Sequence, residues 1–185
     1  MLPLPTKLVV WAHKSNDADW SEDSYHRLHE VTTAQDMWGC LRVMHDFMDE
    51  LMFFVMVGDA VPRWEHESNV RGGYYSVRAD AKNIRQVLES IVCKMVAGVL
   101  IRADNAADAV AGGSTSSKGK FSIIKTWMTN CDVTDSAALA IDGGARNTVR
   151  FTPHIGKSTG DGTSPSRASV SPREGVDKKD EICKK

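Results

Sequence analysis

Seven short runs rich in β-branched or aromatic residues, at 7–13, 25–31, 53–57, 73–79, 98–102, 121–128 and 147–153, are bounded by Gly, Pro, Asp or Asn. Runs of that length with those boundaries read as strands. Only two stretches carry a helical period, so the pattern is that of an α+β domain: a curved, mainly antiparallel sheet with the helices packed on its convex face. The first helix begins at a Thr33-x-x-Asp36 capping pattern and sets Met37, Leu41, Met44, Met48 and Leu51 on one stripe. At about 100° per residue, Trp38 projects away from that stripe and faces outward. The second helix, about 80–97, turns Ile84, Leu88, Ile91 and Met95 inward, with Val92 at the edge of the stripe and Glu89 further out.

Two segments lack such patterning. Residues 103–119 are rich in Ala, Gly and Ser without an apolar period and read as a flexible loop. Residues 156–185 are dominated by Ser, Gly, Pro, Lys and Asp, with too few large apolar side chains to offset ordering entropy, and are expected to be a disordered tail. The folded domain is therefore expected over residues 5–155, and a chain of 185 residues is long enough for one domain with a real core.

Charge and cysteine content exclude several function classes. The net charge of −1 is unlike the broad basic face of a general nucleic-acid binder, so any phosphate contact must be local. Cys40, Cys93, Cys131 and Cys183 are widely spaced without a C-x-x-C pair, which suggests reduced thiols in a cytoplasmic protein rather than a zinc site or disulfide framework. The N-terminal residues carry no basic region followed by a sustained apolar stretch, so no secretory signal is expected. The longest apolar run, Leu51–Val57, is too short to span a bilayer.

Trp20 and Trp64 fall in polar, turn-rich segments rather than on apolar stripes, and Glu65 follows Trp64 directly. Each indole either caps the end of the core from its loop or forms one side of a ligand sandwich. A pair of loop indoles beside a carboxylate suits a cationic aromatic ring, because the ring faces attract the cation and the carboxylate accepts its N–H donors. Arg102, Lys118, Lys120 and Lys125 form a second set. Either folding brings them to one rim, where they hold phosphate oxygens, or they are a solvated strand end and a basic loop. Trp127 alternates with Lys125 and Ile123, which makes it a core residue or the inner wall of the same pocket.

The third set, Trp38 with Leu88, Val92 and Glu89, is either an outward patch that receives a partner helix or ordinary helix-to-helix packing. Catalytic signals are weak: there is no G-x-S-x-G, P-loop, H-E-x-x-H or glycine-rich dinucleotide fingerprint, and Glu65 and Glu67, with His66 between them, could do acid and base work in principle but have no nucleophile or metal-ligand set nearby. His26 and His29 lie at odd spacing on one run, on opposite faces, and do not suggest a shared metal.

Val10-Trp11 with Trp20, Thr33-Ala34-Gln35-Asp36-Met37-Trp38, Pro62-Arg63-Trp64-Glu65 followed by Asn69-Val70-Arg71-Gly72-Gly73, and Val87 through Cys93 together resemble the cap-binding translation initiation factor 4E family. The likeness covers residues 2–132 and fades toward His154. The resemblance implies a non-enzymatic protein, without cofactor, that binds the 7-methylguanosine cap of messenger RNA and recruits a scaffold factor for translation initiation. A cap-binding repressor or specialised paralogue is the alternative it leaves open. It implies that Trp20 and Trp64 sandwich 7-methylguanine, Glu65 accepts from the guanine edge, Arg102 with Lys118, Lys120 or Lys125 reaches the phosphates, and Trp127 lines the methyl group. By the same resemblance, Pro3, Trp38, Leu88, Glu89 and Val92 form the surface for initiation factor 4G or 4E-binding proteins.

The departures from the family pattern mark a divergent member. Leu8 and Tyr75 stand where the family has tryptophan, and the Ala/Gly/Ser segment separates Arg102 from the lysines. That segment suggests a loop able to serve extended or unusually methylated caps. A helix after Cys131 is expected to be short, stopped by Asp142-Gly143-Gly144.

Overall fold

The computed structural model describes residues 1–104, 106–141 and 148–154. The expected tail at 156–185 and the Asp142-Gly143-Gly144 stop lie outside the described residues. Strands β1 (Pro3–Lys14), β2 (His26–Thr33), β3 (Leu51–Val57), β4 (Gly73–Asp80), β5 (Val110–Ser117), β6 (Phe121–Met128) and β7 (Arg150–Pro153) form one sheet in the order β2-β1-β3-β5-β6-β4-β7. Every pairing between these strands is antiparallel. Helices α1 (Ala34–Asp46) and α2 (Ile84–Val96) follow β2 and β4.

Alternation along the strands sorts side chains onto two faces. Leu8, Val10, Val31, Phe53, Val55, Tyr75, Val77 and Ile124 pack with Met37, Leu41, Met44, Ile84, Leu88, Ile91 and Met95, so both helices share one face. The opposite face carries a smaller cluster of Phe54, Met56, Ala111 and Trp127, flanked by Trp11, Tyr25 and Trp64. The α1 entry forms as the capping pattern predicts. Thr33 Oγ1 accepts from the Asp36 backbone N–H at 3.2 Å and donates to Asp36 Oδ2 at 2.7 Å. Leu8 and Tyr75, the two departures from family tryptophans, are both fully buried on the helix side. The Tyr75 hydroxyl donates to Val133 O at 2.7 Å, which satisfies the one polar atom that this replacement brings into the core.

The largest correction concerns residues 103–119. Instead of a flexible loop they contain β5, the central strand, laddered to β3 on one side and β6 on the other. Small side chains here reflect close approach rather than disorder. A Cβ on Gly112 would lie 2.5 Å from Val55 O and 2.8 Å from Met56 Sδ, and Gly112 has φ of 151°. Backbone ladders on both sides hold β5, so it forms without β-branched propensity. The suggestion that a loop here serves unusual caps loses its basis.

Smaller differences have equally local causes. Residues 98–102 are not a strand; Ile101 makes a single bridge to Leu139, and Arg102 lies in the connection from α2 to β5. The second helix starts at Ile84 because Asp80 is still paired to Phe121 in the β4–β6 ladder. Leu51 opens β3 instead of closing the α1 stripe, since the helix ends at Asp46. In place of a helix directly after Cys131, the described residues up to Ile141 form a short 3-10 turn, Ser136–Ala138.

Substituting Gly112 tests the close-approach account. Gly112→Ala is expected to destabilise the protein by more than about 1 kcal/mol, because it combines positive φ with a steric clash. Gly113→Ala meets its nearest neighbour at 3.4 Å and is expected to cost less. Denaturant midpoints of the two variants against wild type measure the difference.

Candidate functional site

Local hydrogen bonds fix the Trp20 loop. Asp19 N–H donates to Asp17 Oδ1 at 2.9 Å, and Ser21 donates to the Asp19 carboxylate through both N–H and Oγ–H, at 2.8 and 2.9 Å. These donors hold the Asp19 carboxyl below its ordinary range. Fully buried His13 stacks on Trp20 with centroids 4.1 Å apart and planes 4° from parallel. Its ring nitrogens lie 2.8 Å from Lys14 O and 2.7 Å from Asp19 O. A neutral imidazole donates to one of these carbonyls, and the imidazolium donates to both. Trp20 therefore presents one face covered by His13 and remains 39% exposed.

The Trp64 loop follows β3 and is tied from within by a buried asparagine. Asn69 Nδ2 donates to Val61 O and Arg63 O, each at 2.8 Å, which holds the two sides of the loop together. Gly72 and Gly73 let the chain leave this loop: a Cβ on Gly72 would overlap Met128 O, and one on Gly73 would lie 2.6 Å from Thr152 O. The Arg-Gly-Gly sequence is thus explained by backbone passing against backbone. Trp64 is half-buried and stacks loosely on His154, at 6.2 Å and 29°.

A continuous run of rings connects the two loop tryptophans. Trp20 is 6.2 Å from Tyr25, Tyr25 5.5 Å from Phe54, and Phe54 6.2 Å from Trp127. From there Trp127 lies 5.5 Å from His154, which meets Trp64. Trp127 is buried on this face and donates from Nε1 to Ser114 Oγ at 3.0 Å. It belongs to the wall of the aromatic face rather than to the helix-side core. An ion pair joins the loops directly: Arg63 Nη1 is 2.8 Å from Glu22 Oε2. Glu65 is exposed, and its charge reaches the Tyr25 phenol, which burial first and Glu65 second push up to about 12.

The expected phosphate set divides. Lys125 lies on the aromatic face, two residues from Trp127, with Nζ 4.4 Å above the Tyr74 ring. Lys118 and Lys120 flank the β5–β6 turn. Arg102 does not join them. The β4 end that precedes α2 pairs with Phe121, next to that turn, and α2 then runs back for 13 residues, roughly 20 Å, before Arg102 is reached. There its N–H bonds to Ala138 O, with Leu100 and Ile101 buried in the helix-side core.

The outward helix set also divides. Trp38 is 45% exposed, as its position off the α1 stripe predicts. Leu88 and Val92, at 4% and 1% exposure, are buried rather than outward, because Val92 follows Ile91 within a stripe wide enough to include both. Glu89 is half-buried and paired with Arg85 Nε at 2.8 Å. Pro3 lies beside α1: it pairs with Thr33, and the adjoining Leu2 O accepts from Ala34 N–H at 2.8 Å. The large exposed apolar residues of α1 and its C-cap are Trp38, Val43 and Phe47. Between α1 and β2 runs a groove of about 370 Å³ lined by Leu28, Cys40, Val43 and Met44.

Sequence patterning alone passed over His13, Tyr25, Phe54, His154 and the Glu22–Arg63 pair. The strand period offered a signal for two of them, since His13 alternates with Trp11 on β1 and Phe54 alternates against the buried Phe53 and Val55 on β3. Neither His154 nor the ion pair has a local signature, because their partners are distant in sequence. Among the described residues no group of His, Cys, Asp and Glu is arranged to hold a metal, and no helix is long and apolar enough to cross a membrane.

Replacing Glu65 tests its place beside Tyr25. A neighbouring carboxylate disfavours phenolate, so Glu65→Gln is expected to lower the pKa of one tyrosine from about 12 while burial keeps it above the ordinary value. Ultraviolet titration of tyrosinate absorbance, wild type against variant, reads the shift.

Comparison with known proteins agrees with this geometry. The family model for eukaryotic initiation factor 4E matches residues 3–156. Initiation factor 4E of Bos taurus is 21% identical over 134 residues, covering 70% of this chain and 62% of the relative. The Homo sapiens protein is 21% identical over 138 residues with the same coverage. The chain thus spans 62% of the length of these curated relatives. Among solved structures, Ascaris suum eIF4E-3 with m7G cap superposes with a TM-score of 0.63 at 16% identity, over 85% of this chain and 93% of that one. The Caenorhabditis elegans eIF4E-3 complex with the 4E-binding protein Mextli and a cap analog gives a TM-score of 0.61 at 18% identity, over 70% and 75%. These structures share the curved antiparallel sheet with helices on one face, and with the family model spanning most of its length, the chain belongs to the eukaryotic initiation factor 4E family.

Proposed function

We propose that the chain binds the 7-methylguanosine cap of messenger RNA between Trp20 and Trp64 and recruits a 4G-like scaffold factor in the cytoplasm. The observation that carries this reading is the pair of loop tryptophans at the two ends of one aromatic face, with their loops joined by the Glu22–Arg63 ion pair and Glu65 beside them. Each indole offers the face its histidine leaves open, and a cationic methylated base between two such faces gains both stacking and cation–π attraction. The Glu65 carboxylate accepts hydrogen bonds from the guanine N–H donors, which selects guanine over bases that would leave it unpaired. Trp127 lines the pocket floor, where the methyl group meets an apolar wall. Lys125, two residues from Trp127 on the same face, meets the cap phosphates, with Lys118 and Lys120 reaching in from the β5–β6 turn. Binding and assembly, not bond-breaking, are the work of this site.

Trp38 anchors the scaffold factor, or a 4E-binding protein competing for the same surface, with Pro3 and Glu89 at its margin. Leu88 and Val92 support that surface from beneath as core residues. The three described cysteines are unpaired, which accords with a reducing compartment.

Tryptophan fluorescence during titration with 7-methyl-GTP tests cap binding. Wild type is expected to quench saturably, and Trp64→Ala to weaken binding by roughly 1–3 kcal/mol through lost stacking. An unchanged dissociation constant in that variant refutes the sandwich. For the partner side, Trp38→Ala is expected to retain 7-methyl-GTP binding and to lose a co-precipitated 4G-like scaffold. A wild-type protein that binds cap but no scaffold is a repressor or specialised paralogue instead.

A further inference from the structure

The cationic character of the aromatic face does not stop at Lys125. Cross-strand partners share a face, so the β4–β6 register sets Tyr74 beside Trp127, Ser76 beside Lys125, Arg78 beside Ile123 and Asp80 beside Phe121. The β4–β7 register adds Arg150 beside Ser76. Burial follows the same alternation: Tyr75, Val77 and Ala79 are buried against the helices, whereas Arg78 and Arg150 are exposed on the other side. Lys125, Arg78 and Arg150 therefore lie on neighbouring strands of one face. With strands about 4.8 Å apart and same-face residues about 6.6 Å apart along each strand, they stand within roughly 10 Å of one another.

Two features make this more than a solvated sheet surface. Among the described residues, no carboxylate pairs with Arg78 or Arg150. The cations are also interleaved with rings: the Arg78 guanidinium lies 3.9 Å over Phe121, and Lys125 Nζ lies 4.4 Å over Tyr74. Asp80, one step beyond Arg78 on the same face, ends the strip. Cations alternating with aromatic surfaces are the composition of a single-stranded nucleic-acid track, in which phosphates meet the charges and bases lie on the rings.

The geometry points to a second contact surface on β6, β4 and β7, in which Arg78 and Arg150 hold phosphates of the nucleotides that follow the cap. This rests on the proposed cap site, because the strip begins at Lys125 on the floor of that pocket and leads away from it. The occupant is single-stranded RNA: the strip is continuous with a nucleotide site, and its charge complements a phosphate backbone. The surface extends recognition from a single modified nucleotide to the chain that bears it.

The test compares three ligands, 7-methyl-GTP, a capped pentanucleotide and the same pentanucleotide uncapped, with wild type, Arg78→Gln and Arg150→Gln. Arg150→Gln, on β7 and off the line from Lys125 to the β5–β6 turn, is expected to bind 7-methyl-GTP as wild type does. For the capped pentanucleotide each variant is expected to lose about threefold to tenfold in affinity, with a shallower salt dependence. Arg150 is exposed and makes no ring contact, so its substitution leaves folding intact even if Arg78→Gln disturbs the Phe121 stack. For Arg150→Gln, equal losses for 7-methyl-GTP and the capped oligonucleotide, or no loss for either, would overturn the proposal. So would displacement by poly-glutamate that depends on Arg150 when the oligonucleotides do not, which would mark an acidic-peptide surface. If wild type binds no 7-methyl-GTP, the cap reading fails. The uncapped arm then judges the strip by itself, since Arg150-dependent binding of that RNA sustains it and Arg150-independent binding, or none, refutes it.

Discussion

The molecule depends on the double backbone ladder of β5. On one side β5 pairs with β3 and so with the β1–β2 half of the sheet; on the other it pairs with β6 and so with β4 and β7. Without it there are two small sheets and no common face. Phe54 comes from one half and Trp127 from the other, and their contact exists only because β5 sets the halves in register. The small side chains of Gly112, Ser114 and Ser116 also keep the sheet surface low beneath the rings, and Ser114 supplies the acceptor for the Trp127 indole.

How legible this was in the sequence depended on the range of the interaction responsible. The α1 cap is a contact three residues long, and Thr33 and Asp36 announced it. The outward position of Trp38 follows from helical period alone. The strands β1, β3, β4 and β6 were readable because each has a buried face and chose branched or aromatic residues for it. Strand β5 was hidden because its selection is negative. What matters at Gly112 is what will not fit against Val55 and Met56, and a sequence shaped by exclusion has the composition of a linker.

The site shows the same division. Trp20, Trp64 and Glu65 stood out as aromatic and acidic residues in polar turns, and the fold places their loops side by side. Arg102 stood out for its charge, but charge carries no information about which end of a strand a residue will reach. Its separation from Lys118 and Lys120 follows from the direction of α2, a tertiary fact. Val92 erred by angle: read as the edge of the stripe, it is buried beside Ile91, so the stripe is broader than a strict heptad seam, whereas Leu88 is buried as the helical period places it.

Each loop tryptophan rests on a histidine, closely for Trp20 on His13 and more loosely for Trp64 on His154. The consequence is preorganisation. Immobilising a rotamer-rich side chain on binding costs about 0.5–1.5 kcal/mol, and folding has already met that cost for an indole held flat against a buried ring. Of the two indoles, Trp20 is thus the one set in place before any ligand arrives, and Trp64 the one left room to adjust.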